Sequence, residues 1–237
     1  MVTQWQVLVE AALAAGLTPR GGFLARPADG VPEAAPGQPA TCVVLLGAVG
    51  GSFWPVFSAA PEAGDDQPDP LDRWSRRVVE ALAARFGGRA LFPFGGPPWL
   101  PFQRWAARAE PVARSPLGLF IPPRHGLGHS SRGALAFAQP PADLPPREAL
   151  SSPCESCVDR PCLTACPVGA FAREEGVTRY DTQACAAHIS VPAGRDCLQG
   201  GCRARRACPV APHLAPGRAQ NEFHMGAFLA ARRAERR

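Results

Sequence analysis

Apolar positions follow a helical period in three stretches of the chain and run unbroken in several others. Between residues 4 and 16, Trp5, Leu8, Val9, Ala12 and Leu13 share one face of a 3.6-residue repeat, and Gly16 supplies a stop. Residues 71–86, LDRWSRRVVEALAARF, predict a second amphipathic helix closed by Gly87-Gly88. In residues 219–237, Phe223, Ala227, Phe228 and Ala231 recur at helical spacing, and Arg charges gather at the end where they suit the helix dipole. The run TCVVLLGAV, residues 41–49, predicts a buried strand. Shorter strands are expected at 22–25, inside a Gly- and Pro-rich loop over 20–39, and at 89–94. Two more are expected at 117–121 and 133–138, on either side of a Gly-rich connection. Residues 60–70 read as a loop, and Trp99 and Trp105, beside Pro-rich turns, read as core. Strands separated by helices predict an α/β layer domain.

Composition changes near residue 145. All five Trp precede it and eight of the nine Cys follow it. The junction, Gln139-Pro-Pro-Ala-Asp-Leu-Pro-Pro146, is a stiff proline-rich connector. The expected division is therefore an α/β domain over 1–145 and a small α-rich domain over 146–237 that ends in a docking helix. Every one of the 25 basic residues counted as Lys+Arg is Arg. The absence of Lys excludes a lysine Schiff base and a Walker-type phosphate loop. No stretch of 18 apolar residues exists, so no membrane span is expected. The N-terminus lacks the basic start of a signal peptide, which predicts a cytoplasmic protein whose cysteines are not a disulfide framework. The net charge of +5 reads as a solvated surface, and nucleic acid is not expected as the partner.

The strongest chemical signal is Cys154-x2-Cys157-x4-Cys162-x3-Cys166-Pro167, followed by Cys185 and then Cys197-x4-Cys202-x5-Cys208-Pro209. Thiolates are soft ligands suited to iron–sulfur clusters, and two groups of four would serve two cubanes. Structural zinc, joined by His188 or His213, is the competing reading; both histidines read first as packing residues. Cys42, inside the apolar run, reads as a buried inert thiol.

Residues 154–212 resemble a bacterial-type ferredoxin module with two 4Fe–4S clusters, above all in Cys166-Pro-Val-Gly-Ala-Phe171. The resemblance implies crossed ligation. One cluster would take Cys154, Cys157, Cys162 and Cys208, and the other Cys166, Cys185, Cys197 and Cys202. The spacing departs from that family in the four residues before Cys162 and in the spread second set, so a single cluster or a 3Fe cluster stays open.

Ahead of the cysteines, Pro123-Arg124-x-Gly126, five residues, then Arg132-Gly133 is similar to the corrinoid-binding domain of cblC-type cobalamin-processing proteins. It is also similar to the same region of epoxyqueuosine reductase, which places two 4Fe–4S clusters after such a domain. The resemblance implies a nitroreductase-like α/β domain, cobalamin as a further cofactor, and Arg124, Gly126, Arg132 and Gly133 at its binding site. The Arg-Asp-Tyr-His segment of the tRNA-modifying enzyme is missing, so that reaction is not expected. His125 and His129 are separated by too many glycines to share a helical face as a metal pair.

These readings predict an iron–sulfur electron-transfer protein working with a redox partner protein or a small-molecule electron acceptor. Two alternatives stay open. One is a corrinoid-dependent reductase or cobalamin-processing enzyme fed by the clusters, and the other is a structural iron–sulfur module contacting RNA.

Overall fold

A computed structural model describes residues 3–174 and 177–235. In chain order its elements are α1 (Gln4–Ala14), β1 (Thr18–Leu24), β2 (Cys42–Val49), α2 (Trp54–Ser58), α3 (Pro70–Phe86), β3 (Arg89–Leu91), α4 (Phe102–Ala109), β4 (Ala113–Arg114), β5 (Phe120–Ile121), β6 (His129–Phe137), α5 (Pro161–Thr164), β7 (Phe171–Glu174), β8 (Val177–Tyr180), α6 (Thr182–Ile189), α7 (Arg195–Gly200), α8 (Arg203–Arg206) and α9 (Arg218–Ala234). The result is a mixed α/β fold with a small sheet and several helices. Two compact units emerge: Met1–Pro111 with His129–Leu150, and Val112–Gly128 with Ser151–Arg237. The second unit thus takes a segment, 112–128, that the composition change near residue 145 groups with the first part.

The first unit is built on a four-stranded sheet of order β1-β2-β6-β3, with every pairing antiparallel. All eight residues of β2 are buried, as its uninterrupted apolar run requires. Such a run demands cover on both faces but leaves strand direction unspecified. On one face Val43 and Leu45 join Phe102 and Trp105 of α4 with Ala134 and Ala136 of β6. Alternation turns Val44 and Leu46 to the other face, where α3 packs on β6 and buries Trp74, Val78, Val79 and Leu82. Each such side chain contributes about 1.5–3 kcal/mol on burial. Gly87 ends α3 at φ 68, in the left-handed region that glycine enters at least cost.

Both neighbours of β2 carry a one-residue bulge. The register steps from Pro19↔Leu46 to Gly22↔Val44 on β1, and from Leu46↔Gly133 to Gly47↔Ser131 on β6. The inserted residues re-aim their surroundings. Arg20, 5% exposed, meets Glu110 at 2.7 Å. Arg132 meets Asp72 at 2.9 Å and stands over the Phe94 ring.

One expectation changes here and one holds. Trp99 is 66% exposed, not core, whereas Trp105 is fully buried and its indole N–H donates to Asp29 O at 2.9 Å. Trp99 precedes the helix α4 that buries Trp105, so it shares none of that helix's inward face. Helix α4 itself went unread because its stripe of Phe102, Trp105, Ala106 and Ala109 spans only two turns.

The second unit has two short hairpins, β4–β5 and β7–β8. The second of these lies in a region whose sequence carries little strand signal. It forms around Phe171 and Tyr180, cross-strand partners whose rings stack at 4.6 Å. Thr178 Oγ1 donates to Pro116 O at 2.9 Å, tying the hairpin to the 112–128 segment. Leu117, Ile121, Leu127, Cys162 and Ala204 form one small core. Ala186, Ile189, Cys197 and Leu229 form another, where α6 and α7 meet α9.

Candidate metal centres

Cys154 and Cys157 lie on the loop before α5, and Cys162 is the second residue of that helix. Arg160, at φ 41, turns the chain into α5, and Pro161 fills the first helical position where a missing N–H costs nothing. Cys208 enters from far along the chain, in the turn that closes α8, with its N–H on Arg205 O at 3.2 Å. The four cysteines line one pocket, together with Pro153, Pro161, Ile121, Leu127, Pro209 and Val210. Cys162 is 7% exposed. Burial pushes the Cys154 and Cys162 thiols up, and repulsion from neighbouring thiolates adds to it: Cys208 and Cys157 act on Cys154, and Cys208, Cys154 and Cys157 act on Cys162. A cation among them removes that penalty.

The Cys208 turn is braced from the 112–128 segment. At Gly126, φ 57, an added Cβ would stand 2.2 Å from Val210 O, and at Gly128 it would stand 2.9 Å from Leu214 O. Arg205 donates to Leu127 O across the same contact. Only glycine permits this approach of two backbones.

Cys202, Cys166 and Cys197 are the thiols that act on Cys185, while Cys166 and Cys202 also pack against the small core that holds Cys154, Cys162 and Cys208. Cys166 follows α5, and Ala170 N–H donates to its Sγ at 3.3 Å. Cys185 sits on α6, whose start is capped by Asp181 accepting from Gln183 N at 3.0 Å and Ala184 N at 2.8 Å. Asp181 N–H in turn donates to Ala170 O at 2.8 Å, so the Cys166 turn and the α6 start are one hydrogen-bonded piece. Cys197 is buried on α7, 6% exposed, and Cys202 precedes α8. Gly194 permits the tight return before α7, since a Cβ there would meet His188 O at 2.0 Å. Burial raises the Cys185 thiol, a hydrogen bond from Tyr180 opposes the rise, and Cys202, Cys166 and Cys197 add to it. Burial also raises Cys197, against a hydrogen bond from the Arg203 backbone N–H. For Cys154, Cys162 and Cys185, every neighbouring thiol named belongs to the same group of four.

Tyr180 is the residue that reading the sequence missed. It is the only Tyr in the chain and stands five positions before Cys185. Its ring lies between Phe171 and Phe228, with centroids at 4.6 and 6.3 Å. Burial, followed by its hydrogen bond to Cys185, keeps the phenol protonated far above its ordinary value.

The four residues of the Pro-Arg-x-Gly and Arg-Gly pattern divide between the units. Arg124 and Gly126 belong to the second and Arg132 and Gly133 to the first. Arg124 is exposed. Arg132 is committed to Asp72; burial lowers this guanidinium and raises the Asp72 carboxyl, each offset by the other's charge. Gly133 admits α3, because a Cβ there would stand 2.8 Å from Val79 Cγ2. His125 and His129 also fall in different units. Cys42 is fully buried in β2 and burial pushes its thiol up to about 11, the behaviour of an inert core thiol. Among the described residues, no three His, Cys, Asp or Glu side chains are grouped so as to hold a metal ion directly. No helix among them is long and apolar enough to cross a membrane. Comparison with protein-family models, with curated proteins and with solved structures finds no match.

Proposed function

We propose that the second unit is a ferredoxin-like electron-transfer module holding two 4Fe–4S clusters, one on Cys154, Cys157, Cys162 and Cys208 and one on Cys166, Cys185, Cys197 and Cys202. The observation that carries the reading is that Cys208, from far along the chain, lines one pocket with Cys154, Cys157 and Cys162, and that Cys166, Cys197 and Cys202 are the thiols acting on Cys185. The donor set fits the group: all thiols, in small apolar shells, with no carboxylate lining the first pocket. A cubane brings its own iron corners and sulfides, so its cysteines surround it and need not converge on one ion.

When bound, the clusters would supply one-electron chemistry. The chain's own part is to hold the thiolates, to exclude water with Ile121, Leu127 and Val210, and to donate hydrogen bonds to sulfur. Such donors include the Ala170 N–H to Cys166, the Arg203 N–H to Cys197 and the Tyr180 hydroxyl to Cys185 in one group, and the Ser152 side chain to Cys154 and the Cys162 backbone N–H to its own sulfur in the other. Hydrogen bonds to the sulfurs stabilise the more negative, reduced state and raise its potential. The first unit would bind the electron partner. Of the residues that the corrinoid-binding resemblance implies, Arg132 in the first unit is engaged by Asp72. Anaerobic purification with iron and sulfide analysis tests the proposal: about eight of each per chain are expected, and tightly bound zinc without acid-labile sulfide would overturn it.

A further inference from the structure

The second unit carries a cleft that the cysteines do not use. Its volume is about 460 Å3, and it is lined by Arg195, Asp196, Gln199 and Gly200 of α7 with Arg218 and Asn221 of α9. That volume lies in the range of small-molecule sites. Its lining carries two guanidinium groups. Its charged lining residues are Arg195 and Arg218, both exposed, against Asp196, and Glu222 of α9 stands behind Gln199, accepting from its Nε2 at 3.4 Å. Asp196 is already neutralised, by Arg206 at 2.5 Å and Arg203 at 3.7 Å. Gln199 Oε1 accepts from Arg218 Nη2 at 2.5 Å and orients that guanidinium, while Asn221 Nδ2 donates to Pro216 O at 2.8 Å and pins the loop entering α9. Arg195 lines the cleft with no ion-pair partner among the described residues.

We infer that this cleft binds a small polyanion, a phosphate or carboxylate compound, on the guanidinium groups of Arg195 and Arg218. A guanidinium fork matches either anion with two parallel hydrogen bonds. The cleft is built on α7, the helix whose buried side carries Cys197. Resting on the two-cluster reading, an anion held there opposes reduction of the second cluster. By reciprocity it binds the oxidised protein more tightly than the reduced.

The test is calorimetric titration of the whole protein with inorganic pyrophosphate and, separately, citrate, at constant ionic strength. At least one probe is expected to saturate, and which one does names the anion class. Arg195→Gln/Arg218→Gln is expected to weaken binding by at least about tenfold. Arg195→Gln alone, which breaks no internal ion pair, is expected to weaken it severalfold and guards against a double variant that folds poorly. Arg233→Gln, about 22 Å further along α9 at ~1.5 Å per residue, is expected to bind as wild type. Failure of both probes to saturate, or equal weakening in Arg233→Gln, would overturn the site. Iron is assayed on the same samples. Binding without iron leaves the anion site standing and removes the cluster reading; iron without binding does the reverse.

Discussion

Gly126→Ala separates a structural brace from a ligand contact. The added Cβ would stand 2.2 Å from Val210 O and 3.0 Å from Val210 C, both backbone atoms that no rotamer change can move. An ordinary contact requires the two segments to part by about 1 Å, and overpacking of that kind costs about 1–3 kcal/mol. Alanine at φ 57 adds about 1–2 kcal/mol of left-handed strain. The sum, about 2–5 kcal/mol, falls on the turn that presents Cys208, because Val210 lies two residues beyond it. The chain can relieve it by releasing residues 122–128, at the expense of the Arg205 hydrogen bond to Leu127 O. Iron and sulfide per anaerobically purified chain should therefore fall by about half, with the melting temperature of the second unit lowered. Gly133→Ala is the control: its Cβ meets Val79 within the first unit, so that unit weakens while iron stays complete. Full iron and unchanged melting in Gly126→Ala would refute the brace. Full iron with loss of a cobalamin-induced spectral shift would instead revive the corrinoid role that the sequence pattern implies.

Cys208→Ser should abolish the EPR signal of the cluster on Cys154, Cys157 and Cys162 and spare the other, and Cys166→Ser the opposite; damage confined to the cluster nearer in sequence would contradict the grouping. Tyr180→Phe removes the hydrogen bond to Cys185 and should lower one potential by roughly 20–60 mV, the equivalent of about 0.5–1.5 kcal/mol for one electron; an unchanged potential in protein-film voltammetry would rule that role out. Arg20→Ala leaves Glu110 buried without its partner and should cost about 3–5 kcal/mol in denaturant unfolding of the first unit. Burial holds Glu110 above its ordinary 4.5, against the opposing pull of Arg20. Its contribution to stability is complete below that value and lost as pH rises through the higher folded value. Glu110→Gln should erase this dependence, so its stability relative to wild type rises with pH above 4.5; a pH-independent difference would show that Glu110 titrates normally.

Where side-chain periodicity sufficed, the sequence by itself determined the elements. The stripe Leu71, Trp74, Val78 and Leu82 specified α3, and the unbroken CVVLLGAV run specified a strand covered on both faces. Cysteine spacing likewise marked all eight thiols as a set, because ligand chemistry restricts which residues can serve. The tertiary structure decided what depends on distant pairs. The antiparallel order β1-β2-β6-β3 and the bulges at Arg20 and Arg132 arise from register between strands far apart in sequence, and no local pattern encodes register. The same holds for the hairpin that brings Tyr180 to Cys185 and for Gly126 against Val210. A hydrogen bond to sulfur and a 2.2 Å approach are properties of two segments together, and either segment read alone shows only a lone tyrosine or one more glycine in a turn.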